Sequence, residues 1–215
     1  MIQPLDIKEF KTRVNEGHSI IDTRSSETFA EGFMPGSISI PFNTNFMEWL
    51  QELTDDDQRL VLVADESEVA AIDNIIRLSG LSTIDGYLKG GWIAWRDVEK
   101  KFDLLITIDA DEFEIDYQFD EFYLVDVRSK EGFENEHAED AENVTLSDLE
   151  YIISEFDEDL SYYIYGETAA EAITAGSIFR KLGFERIRVV AADYATIKAS
   201  KVPFVKKKKT PSPDA

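Results

Sequence analysis

The apolar residues of this chain fall into two kinds of run. Short blocks such as "SIIDTR" (19–24), "RLVLVA" (59–64), "YLVDVR" (123–128), "LSYYIY" (160–165) and "RIRVVA" (186–191) predict buried strands; the unbroken "RLVLVA" is what a parallel strand covered on both faces requires. Amphipathic stretches stand between them. "SEVAAIDNIIRLSG" (67–80) places Val69, Ile72, Ile75 and Ile76 on one helical face, leaves Leu78 off it, and ends at Gly80, a suitable C-cap. "ETAAEAITAGSIFRKLG" (167–183) predicts the corresponding helix further on. Strands alternating with helices predict an α/β fold with mostly parallel sheets.

The pattern occurs twice. "DIKEF" (6–10) returns as "DADEF" (109–113), "IIDTRSSETF" (20–29) as "LVDVRSKEGF" (124–133), and "IIRLSG" (75–80) as "IFRKLG" (178–183), at offsets of 103, 104 and 103 residues. Three matches in one order at nearly one spacing predict two copies of one fold, each of ordinary domain size. The expected boundaries are 1–103, 104–203 and a basic tail at 204–215, whose lysine block and prolines predict disorder past about Lys206.

Composition narrows the chemistry. Net charge is −22, which repels nucleic acid and anionic lipid and keeps the chain in solution. No apolar run is long enough to cross a membrane and no signal peptide opens the chain, so a cytoplasmic location is expected. Cysteine is absent and only His18 and His137 supply imidazole, which excludes thiolate chemistry and makes a histidine zinc site improbable. The run Asp55, Asp56, Asp57 reads as a solvated loop. "DADEFEIDYQFDEF" (109–122) reads as the helix and strand opening the second copy, and Trp49, Trp92 and Trp95 as core or interdomain anchors.

"DTRSSETFAEGFMPGSISIP" (22–41) resembles the signature of rhodanese-homology domains: Asp22, Arg24, Phe29, Gly32, Pro35, Gly36 and Pro41 match, with Phe33 where that family has His. "GYLKGGWIAW" (86–95) resembles its closing segment through Gly90, Gly91 and Trp95. In the diverged second copy Asp126, Arg128, Phe133 and His137 match, while Glu136 replaces a Gly and "AAD" (191–193) the closing glycines. The resemblance implies two rhodanese-like domains, each a mostly parallel sheet of about five strands flanked by helices on both faces. "FNTNFMEWLQELTDDDQRLVLVADE" (42–66) is further similar to modules appended to metallo-β-lactamase-fold hydrolases of the persulfide-dioxygenase type. The His-x-His-x-Asp-His metal motif of those hydrolases is missing, so only their C-terminal part is matched, either as a piece of a longer protein or as a stand-alone gene product.

The family transfers sulfane sulfur through a cysteine persulfide at the end of the central strand, held by backbone N–H groups of the loop that follows. Here that position is Gly166 in the second copy. In the first, counting back from the helix end indicates Val63, and matching strand ends indicates Asp65, the position taken. The former active-site loops are Ala64, Asp65, Glu66, Ser67 and Glu68, and Gly166, Glu167, Thr168 and Glu171. Two charges about 4 Å apart near a surface interact by roughly 4 kcal/mol, so these carboxylates offset the nest's weak positive potential and repel thiosulfate. Asp65 and Ser67 also suit the helix N-cap. The signature residues Asp22, Arg24, Pro35, Gly36, Gly90, Gly91, Asp126 and Arg128 read as structural.

The leading expectation is a catalytically inactive tandem module with an interaction or regulatory role and a protein partner, either its own upstream hydrolase domain or an assembly partner. No catalytic residue, cofactor or metal is expected, and no nucleic acid or membrane. The alternatives are a small-ligand or cation sensor using the acidic loops and, last, a hydrolase built on relocated carboxylates.

Overall fold

The computed structural model describes residues 1–43, 45–55, 57–80 and 84–206. The first half runs β1 (Pro4–Leu5), α1 (Ile7–Asn15), β2 (Ser19–Asp22), α2 (Ser26–Ala30), β3 (Ser37–Ser39), α3 (Phe46–Leu53), β4 (Leu60–Val63), α4 (Val69–Ser79), β5 (Ile84–Leu88) and α5 (Gly91–Glu99). Its five strands pair in parallel in the order β1-β5-β4-β2-β3. The second half runs β6 (Thr107–Ile108), α6 (Ala110–Phe119), β7 (Tyr123–Asp126), α7 (Lys130–Asn135), β8 (His137–Ala138), β9 (Ala141–Asn143), α8 (Leu149–Ile152) between two 3-10 turns, β10 (Tyr162–Tyr165), α9 (Ala169–Lys181), β11 (Ile187–Val190), α10 (Tyr194–Lys198) and β12 (Phe204–Val205). The order β6-β11-β10-β7-β9 repeats that of the first half strand for strand, again all parallel.

Local sequence explains most element ends. Asp6 caps α1 and Glu9 returns the bond, a reciprocal capping box; Asp109 caps α6 and Thr168 caps α9. Gly80 ends α4 at φ 79°, the left-handed geometry its missing Cβ permits. Two expectations about α4 fail. Ile75 is partly exposed while Val69, Ile72 and Ile76 are buried, because the covered stripe is narrower than the apolar one. Neither Asp65 nor Ser67 caps the helix: the loop makes a further turn and α4 starts at Val69 with no side-chain cap.

The expected tail is ordered at its start. β12 pairs antiparallel with β8, joining Phe204 to Ala138 and Val205 to His137; the expected disorder at 207–215 lies outside the described residues. Asp56 also lies outside them.

Alternation along the central strands builds three cores. Leu60 and Leu62 of β4 and Tyr162 and Ile164 of β10 enter one apolar cluster common to both halves. Val61 and Val63 face a second cluster with Phe10 and Leu88, and Tyr163 and Tyr165 a third with Phe113 and Ile197. Helix α9 lies in the shared core, with every residue from Ala172 to Phe179 buried. It rests on its own sheet and on β3, the edge strand of the other. There Ser177 Oγ accepts the Ser39 N–H at 3.0 Å, satisfying an edge group from the opposite half. Arg180 grips Asp103 of the connecting segment with a two-nitrogen fork at 2.6–2.9 Å. Trp49 is buried in the shared core; Trp92 and Trp95 are partly buried against the first half's outer core.

Candidate functional site

Strand register fixes which residues follow the two central strands. Asp22 pairs with Val63 and Asp126 with Tyr165, and the next N–H on each side, Thr23 and Val127, bonds the carbonyls of Val63 and Tyr165. The residues immediately after the central strands are therefore Ala64 and Gly166. Asp65 is the counterpart of Glu167, so the position read from the sequence in the first half lies one residue beyond that read in the second. The shift arises because Ala64 extends the apolar run by one residue without joining the ladder.

The Asp-x-Arg signature does the same work in both halves. Asp22 is wholly buried; it accepts the Arg24 backbone N–H at 3.1 Å and the guanidinium at 2.6–3.1 Å. Burial raises the Asp22 pKa, and the bonds to Arg24 oppose that rise. Arg24 then reaches Gly32 O at 3.0 Å, and its guanidinium carbon stands 4.9 Å from the Trp92 ring centre. Asp126 and Arg128 repeat the motif, with Arg128 donating to Glu136 O at 2.7 Å. Pro35 and Gly36 form the turn before β3, with Gly36 at φ 86°.

The loop of the first half is open. Ala64, Asp65 and Glu66 line a cavity of about 670 Å³ with Arg24, Glu31, Gly90, Gly91, Trp92, Ile93, Arg96 and Phe102. Asp65 accepts the Ser67 N–H at 2.8 Å and its hydroxyl at 2.6 Å, and these bonds hold the carboxyl below its ordinary range. Glu66 accepts the Gly90 N–H at 3.0 Å, tying the loop to the turn before α5. Gly91 cannot carry a side chain there: its φ is 54° and a Cβ would stand 2.9 Å from Ala64 O. Glu68 precedes α4 without capping it.

The loop of the second half is filled by its own side chains. Glu171 turns back from α9 to accept the Glu167 N–H at 2.5 Å, and Thr168 accepts the Glu171 N–H at 3.2 Å. A Cβ at Gly166 would stand 2.7 Å from the Glu171 carboxylate. Arg128 is covered by Tyr194 at 3.6 Å and extends to Glu167 at 3.8 Å. Tyr165 donates its hydroxyl to Asp126 at 2.6 Å, and its pKa is raised first by burial and then by that carboxylate. An internal carboxylate thus occupies the turn that follows β10. Tyr165, Tyr194 and Glu171's inward turn complete the arrangement. Of these, Tyr165 and Tyr194 had no site signal in the sequence beyond their place at a strand end and a helix start. His137 bonds Phe133 O at 2.6 Å and stacks on that ring at 3.7 Å.

Glu171 carries a pH signature. Burial pushes its pKa from 4.5 to about 7, with Asp126 and Glu167 adding to the rise and the Glu167 N–H and Arg128 opposing it. A carboxyl raised on folding destabilises the fold once the unfolded form ionises, so stability falls as pH rises from about 4.5 to about 7. Glu171→Gln keeps an acceptor for the Glu167 N–H and removes the charge. Urea denaturation is expected to show the variant more stable by about 3 kcal/mol at pH 8 and no different at pH 4. An equal effect at both pH values refutes the assignment.

Among the described residues no three or more His, Asp or Glu side chains converge as a metal site, and no helix is long and apolar enough to cross a membrane. The Rhodanese-like domain family matches residues 6–97 and again 109–200. Among solved structures, the Alr3790 protein of Anabaena sp. is 22% identical, over 46% of this chain and 91% of its own, at a TM-score of 0.43. A thiosulfate sulfurtransferase of Pseudomonas aeruginosa is 12% identical over 96% of this chain and 44% of its own, at a TM-score of 0.40. A rhodanese with anions from E. coli is 23% identical over 40% of this chain and 99% of its own, at a TM-score of 0.35. No curated protein matches the chain. With the family matched over most of its length, this chain belongs to the rhodanese-like domain family and carries two tandem copies of the domain.

Proposed function

We propose that this chain is a catalytically inactive tandem rhodanese-like module that works by binding a protein partner. One observation carries the reading. The residues leaving the two central strands are Ala64 and Gly166, neither of which can form a persulfide, and no cysteine exists elsewhere in the chain. The likeness of residues 42–66 and 86–95 to modules of metallo-β-lactamase-fold hydrolases supports an assembly with such an enzyme in sulfur metabolism, as its C-terminal part or as a separate partner. The charge of −22 disfavours nucleic acid and anionic membranes as partners and suits a cytoplasmic protein. A cation sensor is the weaker reading, because among the described residues no three His, Asp or Glu side chains converge to hold a metal ion.

The test is a thiosulfate:cyanide sulfurtransferase assay on the purified chain. Thiocyanate formation no higher than in a boiled sample is expected; turnover above that control overturns the proposal.

A further inference from the structure

The two former sites differ in a way that suggests which one binds. The second is occupied by Glu171 and closed over Arg128 by Tyr194. The first keeps its cavity, and the side chains at its mouth are unusual for an exposed surface. Ile93 is 60% exposed and Phe102 51% exposed, beside the partly buried Trp92, which meets Phe102 edge-on with ring centres 6.1 Å apart.

The apolar surface continues past the cavity. Asp103 exchanges both backbone hydrogen bonds with Phe33 and sends its carboxylate to Arg180. In a segment extended in this way alternate side chains share a side, so Phe102 and Leu104 lie together, opposite Asp103. Leu104 is 48% exposed. The surface is therefore an elongated strip and suits a chain better than a compact molecule.

Charge gives the sign of the occupant. Of the two arginines lining the cavity, Arg24 pairs with the buried Asp22 through its Nε and Nη2 while its buried Nη1 has no hydrogen-bond partner, and Arg96 pairs with Asp97 at 3.2 Å on the surface. Glu31, Asp65 and Glu66 line it without a basic partner among the described residues, on a chain of net charge −22. Such a field draws cationic ligands and speeds their encounter. The floor supplies aromatic and aliphatic contact of the kind that anchors a peptide side chain.

We infer that the first-half cavity and the strip Ile93–Phe102–Leu104 bind a basic peptide segment of a partner protein, an apolar anchor residue entering over Phe102 and flanking Lys or Arg facing Glu31, Asp65 and Glu66. The inference rests on the binding-module reading above and names the partner's chemistry.

The experiment uses the full chain and a fluorescein-labelled hexapeptide, Lys-Arg-Leu-Phe-Arg-Lys, followed by anisotropy at low and moderate salt. Saturable binding weakened by salt is expected. Glu31→Gln with Glu66→Gln should weaken it at least fivefold, because the amide oxygen introduced at position 66 still accepts the Gly90 N–H and only charge is lost. Phe102→Ala should weaken it similarly, and Ile93→Ser, a surface change on α5, provides a second apolar test that does not disturb Trp92. Glu150→Gln in the second half should leave it unchanged. Absence of binding overturns the inference, as does equal loss from Glu150→Gln or indifference to both Phe102→Ala and Ile93→Ser, since either means general adhesion to an acidic body. Preference for the all-acidic counterpart peptide overturns it too, by assigning the cavity to anions. Lack of peptide binding in a chain that also lacks sulfurtransferase turnover defeats this inference alone, whereas turnover defeats the reading beneath it.

Discussion

Replacing Asp126 by alanine is expected to destabilise the chain by about 3–5 kcal/mol, the cost of leaving a buried charge without its partner. The carboxylate is wholly buried and takes the Arg128 guanidinium at 2.7–3.2 Å, the Arg128 N–H at 3.0 Å and the Tyr165 hydroxyl at 2.6 Å. Burial alone would disfavour the Arg128 charge, and the bonds to Asp126 overcome it, so the Arg128 pKa lies above its ordinary value. Removal of the acid strands that cation between Tyr165 and Tyr194. Urea denaturation monitored by far-UV circular dichroism measures the loss. Pairing Asp126→Ala with Arg128→Met should recover most of it, since a buried pair replaced by apolar groups is often nearly neutral. A loss below about 1 kcal/mol for the single change would mean that water reaches the network and that its closure is only apparent.

The second large effect concerns the shared core. Ile178→Ala is expected to cost about 3–4 kcal/mol and to lower the stability of both halves at once. Ile178 is wholly buried in α9, in the cluster that also holds Ile38, Leu50 and Leu62 of the first half. All three tryptophans, Trp49, Trp92 and Trp95, belong to the first half, so indole emission reports that half alone. If the halves form one cooperative unit, the tryptophan-detected urea midpoint moves as far as the circular dichroism midpoint, although the substitution lies in the other copy. A tryptophan midpoint that stays in place would show two independently folding domains joined by a passive interface.

Much of this architecture is legible in the residue pattern because it depends on short-range rules. Alternation and unbroken apolar runs predict β2, β4, β7 and β10. Gly80 ends α4 as its missing Cβ forecasts, and the repeat at about a hundred residues forecasts two sheets of one topology. The Asp-x-Arg forks follow from short spacing, because a strand-exit carboxylate and an arginine two residues on can meet locally. The strand-exit residue of the first half is misplaced by one position. Ala64 is apolar and continues the run, and only pairing with β2 shows where the ladder stops. The exposure of Ile75 escapes notice for a related reason: periodicity reports which side chains share a face, while the width of the covering surface is set by neighbours distant in sequence.

Residue order alone establishes the repeated α/β design and the absence of cysteine, since strand and helix periods and residue identities are local properties of the chain. Three-dimensional packing is needed to show that the two copies share one core through α9, that Glu171 fills the loop after β10, and that the loop after β4 stays open beside Phe102 and Ile93. Each of these outcomes joins side chains from separate elements. Their distances and burial come from packing, which no single stretch of sequence encodes.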